Sequence, residues 1–118
     1  MVLIVDDHAD TAALLARVLR RAGIEAQAVT GGVEALSFMT GRVPALVILD
    51  VMMPDMNGID VLRAMRRDDA LRGVRVIMYS ADADYPRMRE ALRAGAHRYF
   101  VKGTIGSEQL VSEVRRLV

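Results

Sequence analysis

Short, uninterrupted apolar runs alternate along the chain with longer stretches whose apolar residues recur every three or four positions. The first pattern is that of strands buried on both faces of a parallel sheet; the second is that of helices packed against such a sheet. Residues 2–5 form the first run and stop at Asp6-Asp7. Leu14, Leu15, Val18, Leu19 and Ala22 then recur at helical spacing, and Gly23 closes that helix. Residues 24–29 read as a second strand. Gly31-Gly32 leads into a weaker helix carrying Val33, Leu36 and Met39, ending near Gly41.

Residues 45–49 are an apolar run entered at Pro44 and stopping at Asp50, with Pro54 and Gly58 marking the loop beyond. A helix from about Gly58 carries Ile59, Leu62 and Met65. Residues 74–79 form a fourth strand ending at Ser80-Ala81. Asp84-Tyr85-Pro86 opens a helix with proline in its first turn; it carries Met88, Ala91 and Leu92 and ends at Gly95. Residues 97–101 form a fifth strand ending at Lys102. Ser107 is the expected N-cap of a last helix with Leu110, Val111, Val114 and Leu117.

Five strand–helix units in alternation predict one α/β domain over residues 1–118. Its architecture is a doubly wound five-stranded parallel sheet with helices on both faces. The last helix runs to Val118, so no output domain is expected.

Composition narrows the picture. With 53% hydrophobic but only 4% aromatic residues, the core is built from Val, Leu, Ile, Ala and Met. The absence of cysteine excludes a disulfide framework and thiolate metal sites, and fits a reducing cytosol. Residues 1–5 are too short for a signal peptide, and no apolar run is long enough to span a membrane. The expectation is a soluble, cytoplasmic chain without membrane contact. A net charge of +1 argues against direct binding of nucleic acid. Of 16 basic residues, Lys102 is the only lysine, an exception in a chain that otherwise uses arginine.

In a parallel sheet the strands' carboxyl ends gather along one edge, where open α/β folds bind ligands. Asp6 and Asp7 follow the first strand, Asp50 the third, Ser80 the fourth and Lys102 the fifth. In the common order 2-1-3-4-5 the first and third strands are neighbours, which puts three carboxylates in one crevice. Carboxylates so placed repel one another and call for a cation. Oxygen ligands in a site open to water point to Mg²⁺ before Ca²⁺. Taken singly, the acid pair favours a helix N-terminus, Ser80 is a turn residue and Lys102 a solvated strand end. Their coincidence at one edge is what points to a site.

With these residues the chain resembles the receiver domains of two-component response regulators over essentially its whole length. The resemblance rests on the acid pair, on Asp50 followed by Met-Pro and then Gly58, on Ser80-Ala81, and on Lys102. It implies the flavodoxin-like strand order and a signalling domain rather than a turnover enzyme. Asp50 is then the phosphoacceptor, taking a phosphoryl group from a phosphohistidine on a histidine kinase or phosphotransfer protein. Mg²⁺ is held by Asp7 and Asp50, with Asp6 helping through water and the Met52 carbonyl completing the set. Ser80, Ala81 and Lys102 are the phosphoryl-binding residues, and Ser80 and Tyr99 the switch pair. The downstream protein binds the surface of the fourth helix, fifth strand and fifth helix. Arg87, Arg89, Arg93 and Arg98 give that surface a positive character suited to an acidic partner. A homodimer formed on phosphorylation is a further partner the family admits.

Gly103 departs from the family pattern, which has proline after the lysine. The expectation is a trans Lys102–Gly103 bond with a rebuilt loop, or a looser approach to the last helix. The departure keeps an alternative open, a degenerate receiver acting as a phosphorylation-independent scaffold. Met52 and Asp82 lie two residues past Asp50 and Ser80, where the family tunes phosphoryl lifetime; an apolar Met52 is expected to screen the acyl phosphate from water. A phosphatase using an aspartate nucleophile needs an acid at position 52 and finds Met52. A flavodoxin-like cofactor binder needs glycine and hydroxyls where Asp6-Asp7-His8 stand.

Overall fold

The structure, a computed structural model, describes all 118 residues. The elements follow in the order β1 (Val2–Val5), α1 (Ala9–Arg21), β2 (Ala26–Val29), α2 (Gly32–Gly41), β3 (Leu46–Leu49), α3 (Gly58–Arg67), β4 (Arg75–Ser80), α4 (Tyr85–Arg93), β5 (Arg98–Val101) and α5 (Ser107–Leu117). The strands form one parallel sheet in the order β2-β1-β3-β4-β5, as the alternation of patterns predicts.

Alternate residues of a strand face opposite sides of a sheet, so each central strand feeds two cores. Leu3, Val5, Val47, Leu49, Val76 and Met78 point to the face covered by α2, α3 and α4. Val2, Ile4, Leu46, Ile48 and Ile77 point to the face covered by α1 and α5. β1 and β3 are buried along their whole length, which is why they read as unbroken apolar runs.

The expected apolar faces of α3 and α5 are buried through Ile59, Leu62 and Met65 and through Leu110, Val111 and Val114, and Ala91 of α4 is enclosed as expected. Elsewhere the faces depart: Leu14, Val33 and Leu92 are exposed, while Ala12, Ala16 and Ala35 are enclosed. The buried stripe of α1 is Ala12, Leu15, Ala16 and Leu19. Small alanines let the helices approach the sheet closely, and a periodicity traced through the large residues alone rotates the face. Strand limits also shift: β2 begins at Ala26 and β5 at Arg98, later than expected. Arg20 donates twice to the Ala26 carbonyl, at 2.8 and 3.0 Å, closing off the first residue of that edge strand. The N-cap of α5 is Gly106, and Ser107 is already helical. There the Gln109 side chain accepts the Gly106 N–H at 3.2 Å, replacing the hydroxyl cap expected of Ser107.

No helix is long and apolar enough to cross a membrane.

Candidate functional site

The backbone delivers the acids to one place. Asp50 N–H donates to the Val5 carbonyl at 2.9 Å, and Asp6 N–H to the Val29 carbonyl at 3.2 Å. Each residue thus extends the sheet by one step past its strand, and the two carboxylates emerge side by side at the switch point. Both are almost fully enclosed, Asp6 at 2% and Asp50 at 4% exposure. Buried charges of one sign need a partner, and Lys102 supplies it. Its N–H donates to the Ser80 carbonyl at 2.8 Å, just past β5. Its side chain reaches back to place Nζ 2.6 Å from Asp6 Oδ2 and 3.3 Å from Asp50 Oδ2. Burial works against the ammonium, but the hydrogen bond it donates to Asp6 and the charge of Asp50 outweigh it, holding the Lys102 pKa above the ordinary lysine value.

Asp7 completes the crevice. Its Oδ1 is buried and has no hydrogen-bond partner. His8 N–H donates to Asp6 Oδ1 at 2.9 Å, and His8 Nδ1 lies 3.4 Å from Asp6 Oδ1 and from Asp7 Oδ1. Asp6, Asp7, His8 and Asp50 each offer one ligand atom, all within 4.8 Å of one another. The ammonium pairs with Asp6 and Asp50 but not with Asp7, and the Asp7 Oδ1, which accepts no hydrogen bond, marks where a further cation is wanted. The donor set is dominated by oxygen, which fits a hard divalent ion.

The loops around the pocket are tied down by contacts of long sequence separation. Asp55, in the β3–α3 loop, accepts the N–H groups of Gly32 and Val33 at 3.2 and 3.0 Å, capping α2 from outside its own segment. Those bonds hold the Asp55 carboxyl below its ordinary pKa. Ser80 is buried at the end of β4, and its Oγ accepts the Asp82 N–H at 3.1 Å. The Tyr99 hydroxyl donates to the Asp82 carbonyl at 2.7 Å. The expected switch pair therefore converges on one peptide residue from two sides. Burial raises the Tyr99 pKa.

The response regulator receiver domain family model matches residues 2–115. The chain belongs to that family. It is 39% identical over 114 residues to the DNA-binding response regulator MtrA of Mycolicibacterium paratuberculosis, covering 97% of this chain and 49% of that protein. The transcriptional regulatory protein PrrA of Mycobacterium tuberculosis is 38% identical over 117 residues, 99% of this chain and 49% of its own length. The chain spans about half the length of these curated relatives. Among solved structures, the Vibrio cholerae chemotaxis protein CheY4 superposes with a TM-score of 0.91 at 26% identity, covering 99% of this chain and 97% of that one. Receiver domains bind Mg²⁺ at an acidic pocket, and they are signalling domains that interact with histidine kinases and downstream effectors.

Within this receiver, Asp6, Asp7, Asp50 and Lys102 meet as the sequence led one to expect. Lys102 is engaged with the acids, more closely with Asp6 than with Asp50. Ala81 is exposed immediately after Ser80, and Met52 is also exposed. The Lys102–Gly103 bond is trans; Gly103 adopts φ of 87°, a left-handed conformation that favours glycine. The turn is closed by Thr104, whose N–H and hydroxyl donate to the Val101 carbonyl at 3.1 and 2.6 Å. This is the rebuilt loop anticipated as one of two outcomes. The ion pair of Arg87 with Asp82 was not foreseen, nor was the Asp55 cap or the part of His8 in the acid cluster.

Proposed function

We propose that Asp50 is the phosphoacceptor of this receiver and that Lys102 neutralises charge beside it. The observation that carries the reading is the half-buried Lys102 ammonium bridging the buried Asp6 and Asp50 carboxylates, beside an Asp7 oxygen that accepts no hydrogen bond. A carboxylate with an ammonium at one side and a cation site at the other is equipped for phosphoryl transfer, which is mostly positioning and charge neutralisation. An Asp50 oxygen attacks the phosphorus of a phosphohistidine; the new O–P bond forms as the N–P bond breaks and the imidazole leaves. Asp7 and Asp50, the Met52 carbonyl, and Asp6 through water would hold Mg²⁺. When bound, the metal supplies positive charge to the phosphoryl oxygens. Lys102 exchanges its carboxylate contacts for a phosphoryl oxygen, a role suited to a compact ammonium. Ser80 and the Ala81 N–H take the other oxygens, and Ser80 with Tyr99 relays the change through Asp82.

The donor is a histidine kinase or phosphotransfer protein. The output surface is α4, β5 and α5. Its positive character is smaller than the count of arginines suggests, because Arg87 pairs with Asp82 and Arg98 with Glu113. Arg89 lies over the Tyr85 ring at 5.8 Å and, with Arg93, remains to meet an acidic partner. No observation favours the scaffold reading: Asp6, Asp7, Asp50 and Lys102 lie together, and Gly103 is accommodated by its turn. Incubation with Mg²⁺ and a small acyl phosphate donor tests the proposal: intact mass rises by one phosphoryl group on the native chain and stays unchanged on Asp50→Asn. An unchanged mass on the native chain refutes it.

A further inference from the structure

We propose that Arg87 is a positioning residue that lengthens the phosphorylated state by holding Met52 and Asp82 together at the mouth of the pocket; this rests on the reading of Asp50 as phosphoacceptor. Met52 stands two residues beyond Asp50 and is 55% exposed. An unbranched thioether that open has little packing to fix its rotamer. What fixes it is Arg87 Nη1, 3.5 Å from Met52 Sδ. The same nitrogen pairs with Asp82 Oδ2.

Asp82 is in turn fixed on its remaining sides. Its N–H donates to Ser80 Oγ, its carbonyl accepts from Tyr99, and its Oδ1 accepts the Asp84 N–H at 2.9 Å. Arg87 is anchored at its base as well, its backbone N–H donating to Asp84 Oδ2 at 3.1 Å. The guanidinium therefore joins the loop after β3 to the loop after β4, from a position outside the phosphoryl-binding residues. Asp82 is only 14% exposed, so the pair is better shielded than an ordinary surface bridge.

Loss of the phosphoryl group is hydrolysis. A water oxygen bonds to phosphorus as the bond to the Asp50 oxygen breaks, giving the Asp50 carboxylate, inorganic phosphate and one proton released to solvent. Attack and departure lie in line, so the approach of water is the variable the protein controls. With Arg87 in place, the thioether is held at that approach and the Asp82 carboxylate is occupied. Without it, Met52 swings freely and Asp82 Oδ2, Oδ1 still accepting from Asp84, becomes a free acceptor for the incoming water. Both changes speed hydrolysis.

The test is to phosphorylate the native chain and the R87A, R87K, D82N and R87A/D82N variants with Mg²⁺ and a small acyl phosphate donor. The donor is then removed and the decay of the phosphoryl mass followed, with thermal midpoints recorded in parallel. R87A gains the group as the native chain does and loses it about five-fold faster, a barrier change of about 1 kcal/mol. R87K, which keeps the cation, decays more slowly than R87A, and the double variant decays no faster than R87A alone. Should R87A fold poorly, R87K and D82N carry the same comparison. Normal gain with native decay in R87A overturns the proposal alone. Decay rates that follow the thermal midpoints across the variants also overturn it, since Arg87 is then only structural. No gain on the native chain overturns the phosphoacceptor reading and this proposal with it.

Discussion

Gly58 lies against the backbone of Asp50 so closely that a Cβ on it would stand 1.9 Å from the Asp50 carbonyl oxygen. Its N–H donates to the Val51 carbonyl at 2.8 Å, so the first residue of α3 is bonded to the segment that carries the acid. The contact is with backbone, which cannot swing aside as a side chain can. Gly58→Ala therefore displaces the loop between Asp50 and α3. The expected cost is about 1–3 kcal/mol of stability, as for an overpacked core, together with slower phosphorylation. Chemical denaturation measures the first; an unchanged midpoint would show that the loop absorbs the methyl group.

Lys102 sets the charge balance of the pocket before any metal binds. Lys102→Ala leaves Asp6 and Asp50 enclosed without their ammonium. Removing one member of a buried ion pair typically costs about 3–5 kcal/mol, and a divalent cation restores part of it. The variant should melt well below the native chain in chelator, and Mg²⁺ should raise its thermal midpoint by more than it raises the native one. Equal Mg²⁺-induced shifts would contradict the coupling.

At the opposite edge of the sheet, His97 Nδ1 accepts the Val76 N–H at 3.3 Å, while its own N–H donates to the Val76 carbonyl at 2.8 Å. Burial, then the charges of Arg66, Arg75 and Arg98, lower its pKa from the ordinary 6.5. A depressed folded-state value means the unfolded chain takes up the proton first. The stability this residue contributes is complete above the ordinary value and is lost as pH falls through the lower folded one. His97→Gln, which keeps an acceptor and cannot take up the proton, should lose less stability than the native chain between neutral and mildly acidic pH. Parallel stability–pH curves for the two would contradict this.

The sheet and its active edge were legible because their signals are local. Val2–Val5 and Leu46–Leu49 are buried on both sides, so they read as apolar runs, and the acids that end them follow directly. What escaped were relations between distant segments. Asp55 caps a helix 22 and 23 positions away, and nothing in Pro54-Asp55-Met56 announces the partner. Arg87 reads as one more surface arginine until the fold brings Met52 to it from 35 positions away. The face of α1 was misjudged for a different reason. Ala12 and Ala16 carry little hydrophobic weight, yet their size decides how near the helix lies to β1 and β2. Leu14, the stronger signal, faces water.

The measurement that goes most directly to the central claim is chemical trapping of the phosphorylated residue. An acyl phosphate is reduced by borohydride to an alcohol, whereas a free carboxylate is not, so a phosphorylated aspartate becomes homoserine. The account predicts that peptide mass spectrometry, after phosphorylation with Mg²⁺ and a small acyl phosphate donor, finds homoserine at position 50 and aspartate retained at positions 6 and 7. Homoserine at position 6 or 7, or at none of the three in a chain that has gained a phosphoryl group, would contradict it.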